Sequence, residues 1–473
     1  MTQPLDRSTI QSLVFQPHRC GHSRHFLFRS HDKAGAKRFL AAWTPRVTHG
    51  GVDLGAEHEA LVNIGVTWPG LDKAGAFDGD GGVEKAKEAF YFDFKEPPDA
   101  ESLGAFGASA PENWWNKRFK TGDIDFTVHV YCTSTEKLDN ASREVRESAK
   151  NNGLEELIPT RDGKEAITGC ALGTGLSGLR KLHFGYSDGF SQPSVNWDND
   201  PALGTGAPVN GKGHYPRGHF ILDEWDEKAE SFPRVEPWRG RLRHSSYMAL
   251  SWIYQDVAAF NRFLRDNAPA VAAALAPGLD PAKAEEFLAG KMMGRWRDGT
   301  PMALSPEKEA PERADEDFDF ATDTAGLRCP ISSHIRIVNG RDQPLDAGHA
   351  MMFPSGFPRV LRRGSTYGPW LDGTEDDGVD RGIIGMFVCA NVNRQFYHLT
   401  RWIAATNFSD AFTDPRGQDP LFASRSVPGA HKSVTFTTQH GSIKLKGLPD
   451  FIRMQGVAIV LLPSLPALRW LAS

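Results

Sequence analysis

Paired cysteines, long apolar runs and an excess of basic charge are all missing from this chain of 473 residues. Its five cysteines, Cys20, Cys132, Cys170, Cys329 and Cys389, are odd in number, widely scattered and form no C-x-x-C pair. That argues against a disulfide framework or a zinc ribbon and fits a reducing compartment. The longest apolar run, Val457 to Leu462, falls far short of the roughly 20 residues that a membrane helix needs. With 54 basic against 59 acidic residues and a formal charge of -5, no general field draws nucleic acid or an anionic membrane. The start of the chain, MTQPLDRSTIQSLVFQPHRC, has neither a basic segment leading into an apolar one nor a twin arginine, so a cytoplasmic location is expected.

What is present is an ordinary globular composition, 40% hydrophobic and 24% charged, with 47 glycines and 31 prolines that promise many turns. The length predicts two or three domains. Strands are expected at 24–30, 60–67 and 124–131, with helices at 32–43 and 135–150, an order suited to an α+β unit on an antiparallel sheet. Residues 70–122 read mostly as loop. A second α+β block has strand-like GHFILDEW (218–225) and SSYMALSW (245–252), the latter leading into a helix with Val257, Phe260 and Leu264 on one stripe. The acidic run 306–323 reads as a solvated loop.

The most distinctive stretch is HFGYSDGFSQPSV, from His183 to Val195. Gly185, Asp188 and Gly189 crowd into five residues between Phe184, Tyr186 and Phe190, which lets a carboxylate press against a flat ligand or a cavity. Asp-Gly is also a common turn dipeptide, and a carboxylate there can simply cap its own loop. Just upstream, Gly173, Gly175 and Gly178 spell G-x-G-x-x-G, but no helical pattern follows, which argues against a dinucleotide site. His18, Cys20, His22 and His25 superficially resemble a metal cluster without a second ligand pair at a recognisable spacing.

Read as a strand, CPISSHIRIVN places His334, Arg336 and Val338 on one face, an imidazole suited to a metal with a cation beside it for a carboxylate. In LRRGSTYG the neighbours Arg362 and Arg363 cannot both face one site, so one reaches inward. An acid in a glycine turn, a histidine on a half-buried strand and an inward arginine together supply what splitting a peroxide O–O bond on haem iron requires.

Several stretches in order carry a resemblance: VNIGVTWPGL (62–71), GYSDGFSQPSV, HSSYMALSWIYQDVAAF, GRWRDGTPM (294–302), CPISSHIRIVNGR, VLRRGSTYG, GMFVCANVNRQF and LLPSLPALRWLA. The chain resembles the dye-decolorizing peroxidase family nearly end to end. The resemblance implies an α+β fold of two ferredoxin-like halves, each an antiparallel sheet packed with helices, of the dimeric α+β barrel type. It divides the chain into 1–185 and a haem-binding 186–473, with long insertions at about 196–216 and 303–325. It implies haem b, hydrogen peroxide as substrate and a small-molecule electron donor such as a dye or phenol, with turnover through a ferryl intermediate, and it leaves a homo-oligomer open.

By the same resemblance His334 is the proximal iron ligand, Asp188 the distal acid/base, Arg362 the distal arginine, Arg336 a haem-propionate partner and Phe387 an apolar wall. Gly189 lets Asp188 sit over the haem plane. Asn391 stands where the family usually has Asp or Ser before its I-E-R-Q-F stretch, and is expected to support the proximal imidazole more weakly than an Asp. Ser251 stands where Arg is common. Tyr367, Trp370, Tyr397 and Trp402 are candidates to carry electrons to the surface. A haem-handling protein with incidental peroxidase activity is the rival reading; the pair Asp188 and Arg362 favours the enzyme.

Overall fold

The computed structural model describes all residues except 1–3, 80, 174–178, 204–212, 224–232, 235, 355, 413, 415 and 416. Gly175 and Gly178 of the glycine fingerprint lie outside the described residues.

The strands are β1 His22–Ser30, β2 Leu61–Val66, β3 Phe126–Cys132, β4 Leu154–Glu156, β5 Ile167–Cys170, β6 Ser194–Asn196, β7 His214–Pro216 and β8 Ser246–Gln255. They continue as β9 Leu361–Arg362, β10 Ser365–Tyr367, β11 Gly382–Cys389, β12 Ser433–Thr438, β13 Gly441–Lys446 and β14 Ile452–Leu462. One large antiparallel sheet runs β10-β5-β1-β3-β2-β14-β8-β11-β9, with β4 beside β1. Because β10 pairs with β5 on one side and β11 on the other, the sheet closes into a barrel. Strands from the first part of the chain meet those from the second at two seams, β2 against β14 through Val66 and Leu461, and β5 against β10. Closure removes the unpaired edges that an open sheet would expose.

Helices pack outside in the positions the periodicity gives. The helix Lys33–Trp43 is capped by Asp32 and buries Ala36, Phe39, Leu40 and Trp43, and Thr135–Asn151 is capped by Ser134 and buries Leu138, Val145 and Ala149. After β8, Asp256 caps Val257–Leu275, whose buried stripe holds Phe260, Leu264, Ala268 and Val271. These side-chain caps satisfy amide groups that a helix start leaves orphaned. Among the described residues no helix is long and apolar enough to cross a membrane.

Four expectations change. Residues 70–122 hold short helices, Trp68–Lys73, Gly82–Ala89, Phe92–Lys95 and Ala100–Leu103, rather than mostly loop. The described residues of 218–225, 218 to 223, form no strand: they continue a 3-10 turn at Arg217–His219 into further turns. The acidic run 306–323 is not simply solvated, since Asp323 is buried and Glu316 bridges two buried arginines. Most consequentially, His334–Val338 is a helix begun by Ser333, so the strand parity drawn between His334 and Arg336 does not apply. A short apolar run is ambiguous between strand and helix by periodicity alone, and here Ser333 in an extended conformation turns the chain into a helix.

Candidate haem site

Asp188 follows a tight hairpin in which Gly185 N donates to Leu182 O, Leu182 N to Tyr186 O, and Asp188 N to Arg180 O at 2.7 Å. The hairpin is fixed from two sides. Ser187 N donates to Arg297 O at 3.0 Å and the Tyr186 hydroxyl to Ala289 O at 2.8 Å, while His183 Nε2 lies 2.8 Å from Tyr367 O on β10. Gly185 has φ +89 and a Cβ there would meet the Arg297 side chain at 2.9 Å; Gly189 has φ +112. Both positions therefore favour glycine, the second for conformation alone.

Arg362 on β9 lies directly across from Phe387 on β11. Its backbone exchanges hydrogen bonds with the Gln192 amide, N to Oε1 at 3.2 Å and Nε2 to O at 3.3 Å, and its Nη2 donates to Phe190 O. The arginine is thus brought to the segment that carries Asp188. Arg363 points away and is buried, donating to Leu13 O, Val14 O and Phe15 O, and burial pushes its guanidinium down to about 9. Phe387 is half-buried and stacks on Phe396, ring centroids 5.3 Å apart.

His334 Nδ1 stands 2.6 Å from Asp419 Oδ2, and its ring lies 4.4 Å from that of Phe422. Asp419 is fully buried, and its Oδ1 accepts from Leu421 N at 2.8 Å and Phe422 N at 3.0 Å. Among the described residues Nε2 of His334 has no hydrogen-bond partner. A haem iron needs an imidazole with one nitrogen open and the other held by a carboxylate or carbonyl that fixes its tautomer. His334 meets both requirements, so the residues present fit the group.

The two clusters share their surroundings. The turn after Gly294 joins them: a Cβ on Gly294 would collide with Ile335 and Ser333, Arg297 O holds Ser187, and Gly299 leaves room for the Phe190 ring. Phe184, Tyr186, Trp296 and Leu421 belong to one buried apolar cluster, against which Ile335 and Phe422 pack.

Two assignments are corrected. Arg336 is 1% exposed, and four of its N–H groups go to Gln343 Oε1, Asp323 Oδ2, Cys329 O and Asp323 O, so a propionate partner has little left to bind. Asn391 does not support the His334 imidazole: its Oδ1 accepts from Arg394 N and its Nδ2 donates to the Tyr91 hydroxyl. Asp419 takes that place. Sequence reading missed it because 85 residues separate it from His334 and no local pattern marks it. Ser251 is buried opposite Gly385, its hydroxyl has no partner among the described residues, and it carries no charge role.

Among the aromatic candidates, Trp370 is 36% exposed and lies under Lys181, whereas Tyr397 and Trp402 are buried. The Tyr367 hydroxyl donates to Asp380 and Gln455. Of the N-terminal histidines, His18 bonds Asn63 and His25 bonds His129; among the described residues no group of three potential ligands is placed to hold a metal ion.

The structure therefore presents an α+β barrel with an aspartate-backed histidine whose second nitrogen is open among the described residues. No family model matches the chain. Dye-decolorizing peroxidase msp1 of Mycetinis scorodonius is 26% identical over 376 residues, covering 74% of this chain and 67% of that protein. A dye-decolorizing peroxidase of Mycena epipterygia is 30% identical over 261 residues, 50% of this chain and 45% of that one. The fold matches that of a mutant dye-decolorizing peroxidase from Pleurotus ostreatus with a TM-score of 0.79 at 21% identity, covering 99% of this chain and 100% of that one. It matches the fungal enzyme from Auricularia auricula-judae with a TM-score of 0.75 at 20% identity over the whole of both chains. Proteins named dye-decolorizing peroxidases are thus what the chain is similar to in sequence, and their structures what it is similar to in fold.

Proposed function

We propose that this chain is a haem peroxidase of the dye-decolorizing type, reducing hydrogen peroxide to water at the expense of small one-electron donors such as phenols and dyes. The observation that carries the reading is the Asp419–His334 pair with its open Nε2. The nearby convergence of Arg362 on the Asp188 segment supports it. Haem b is the form we infer, since no C-x-x-C-H motif is present for covalent attachment.

When bound, haem supplies the iron that takes up peroxide and the oxidising equivalents left after O–O cleavage. The chain supplies the rest. His334 Nε2 would hold the iron, and Asp419 would keep the imidazole oriented and electron-rich. Asp188 would accept a proton from hydrogen peroxide and return it to the oxygen that departs as water. Arg362 stabilises the negative charge that develops on the departing oxygen. Positioned acid/base groups give roughly 10²–10⁴ in rate, and one charge-stabilising donor roughly 10²–10³.

On this reading the chain divides near residue 185, with the haem held mainly by the second half. Five free cysteines agree with a reducing, cytoplasmic setting. Haem handling is disfavoured, because neither a proton-moving aspartate nor a charge-stabilising arginine is needed for storage. An absorption spectrum before and after one equivalent of peroxide, followed by dye turnover, tests the proposal; a histidine-ligated haem that neither reacts with peroxide nor oxidises dye would reject it.

A further inference from the structure

Behind the proximal pair lies a buried cation that no step above uses. Arg425 is 6% exposed, and burial pushes it down to about 10 against the attraction of Asp419 and Asp450. Its Nη2 donates to the Asp419 backbone O, its Nη1 to Gln418 Oε1 at 2.7 Å, and its Nε is buried with no partner. Among the described residues the guanidinium forms no ion pair. A buried charge without a paired carboxylate is costly; the bonds of the guanidinium are to neutral groups, and the Asp450 carboxylate accepts instead from the Arg425 backbone N–H.

The turn does not need Arg425 to hold its shape. Asp419 Oδ1 is anchored by two backbone N–H groups, Asp419 N donates to Ile403 O at 3.1 Å, and Gln418 Nε2 donates to Ala404 O and Ser424 O at 2.9 Å each. The bracing is therefore redundant, whereas the charge is not duplicated among these contacts. Asp419 pulls on the His334 N–H and makes the imidazole more electron-donating, which favours ferric iron. A cation beside the same aspartate opposes that pull.

We infer that Arg425 is a positioning residue that sets the iron's reduction potential upward, by holding a fixed positive charge against the Asp419–His334 pair. The inference rests on the reading of His334 as the iron ligand. Charge and bracing predict opposite signs. Loss of charge leaves Asp419 free to accept more strongly from the His334 N–H, lowering the potential and raising the iron–histidine stretching frequency. Loss of bracing loosens the Asp419–His334 bond and moves both the other way.

The test is spectroelectrochemistry of the haem-loaded protein, with resonance Raman of its ferrous form, on Arg425→Met, Arg425→Gln and Arg425→Lys. The neutral variants are expected to show a lower midpoint potential and a higher iron–histidine frequency, and the lysine variant to stay near the wild type. Gln retains an amide donor for Asp419 O, so it carries the test if Met does not fold. An unchanged or raised potential in the neutral variants, or an equal fall in the lysine variant, overturns the inference. A wild-type spectrum without histidine-ligated haem would instead overturn the functional reading beneath it.

Discussion

Asp419 and His334 meet at 2.6 Å across a separation of 85 residues, and this bond, rather than any made by Asn391, supports the His334 imidazole. Asp419→Asn is therefore expected to raise the Fe(III)/Fe(II) potential and to cost about 10–100-fold in haem affinity or activity, the usual range for a ligand's supporting partner. Asn391→Asp should leave the potential where it is, because Asn391 bonds Arg394 N and Tyr91 instead. Potentiometric titration of both variants separates the two positions.

His334→Ala should lose the haem absorbance or shift it strongly. Two other histidines are also held at Nδ1, His349 by Asp346 at 2.7 Å and His398 by Asn393 O at 2.7 Å, and are the alternative ligands this variant tests. An unchanged ferric spectrum would move the iron to another residue.

For Asp188→Asn the expected result is intact haem and a peroxide reaction slowed by about 10²–10⁴, and for Arg362→Leu by about 10²–10³. Stopped-flow mixing with peroxide measures both, and wild-type kinetics in either variant would remove that residue from the distal role.

Much of the barrel was legible because its strands and long helices carry regular periods and caps: the Phe260 and Leu264 stripe and the β1, β2 and β3 segments stand where the sequence puts them. The glycine turn before Asp188 and the opposed directions of Arg362 and Arg363 were legible for the same local reason. His334 was read as a strand residue because five residues of helix are too short for a period to show. Asp419 and Glu316 were invisible, since each acts through partners far away in the chain and nothing adjacent signals a contact.

Glu316 shows what such a distant contact does. It accepts from Ser191 N and the Ser191 hydroxyl at 2.6 Å each, and pairs with Arg295 and Arg341. Burial pushes its carboxyl up, but Arg295, Ser191 and Arg341 outweigh this and hold it below the usual glutamate range. Ser191, at φ +57, follows Asp188 by three residues, so the acidic run straps the distal loop. Glu316→Gln leaves two buried guanidinium groups short of an anion. A loss of about 1–2 kcal/mol is expected, less than for a fully buried pair because the carboxylate is partly exposed. Urea unfolding at pH 7 measures it, and equal midpoints for variant and wild type would refute the strap.

Inside the barrel His25 Nδ1 faces His129 Nδ1 at 2.9 Å, with the outer nitrogens on the Ser23 and Thr127 hydroxyls. One proton can bridge the two inner nitrogens; a second would set two cations together in the core. Burial pushes His25 down to about 3 and His129 well below the usual value, with His25 and His18 adding repulsion at His129. In the unfolded chain both titrate near 6.5. Below that pH the unfolded state takes up protons that the folded state refuses, so stability is complete above about 6.5 and falls as the pH drops toward the folded values. Each histidine contributes up to about 1.4 kcal/mol per pH unit over that window. The double variant His25→Leu/His129→Leu keeps the site buried without titratable groups, and its stability should fall less steeply between pH 6.5 and 4. Denaturant unfolding across that range decides it: parallel slopes for wild type and variant would show that acid destabilisation arises elsewhere.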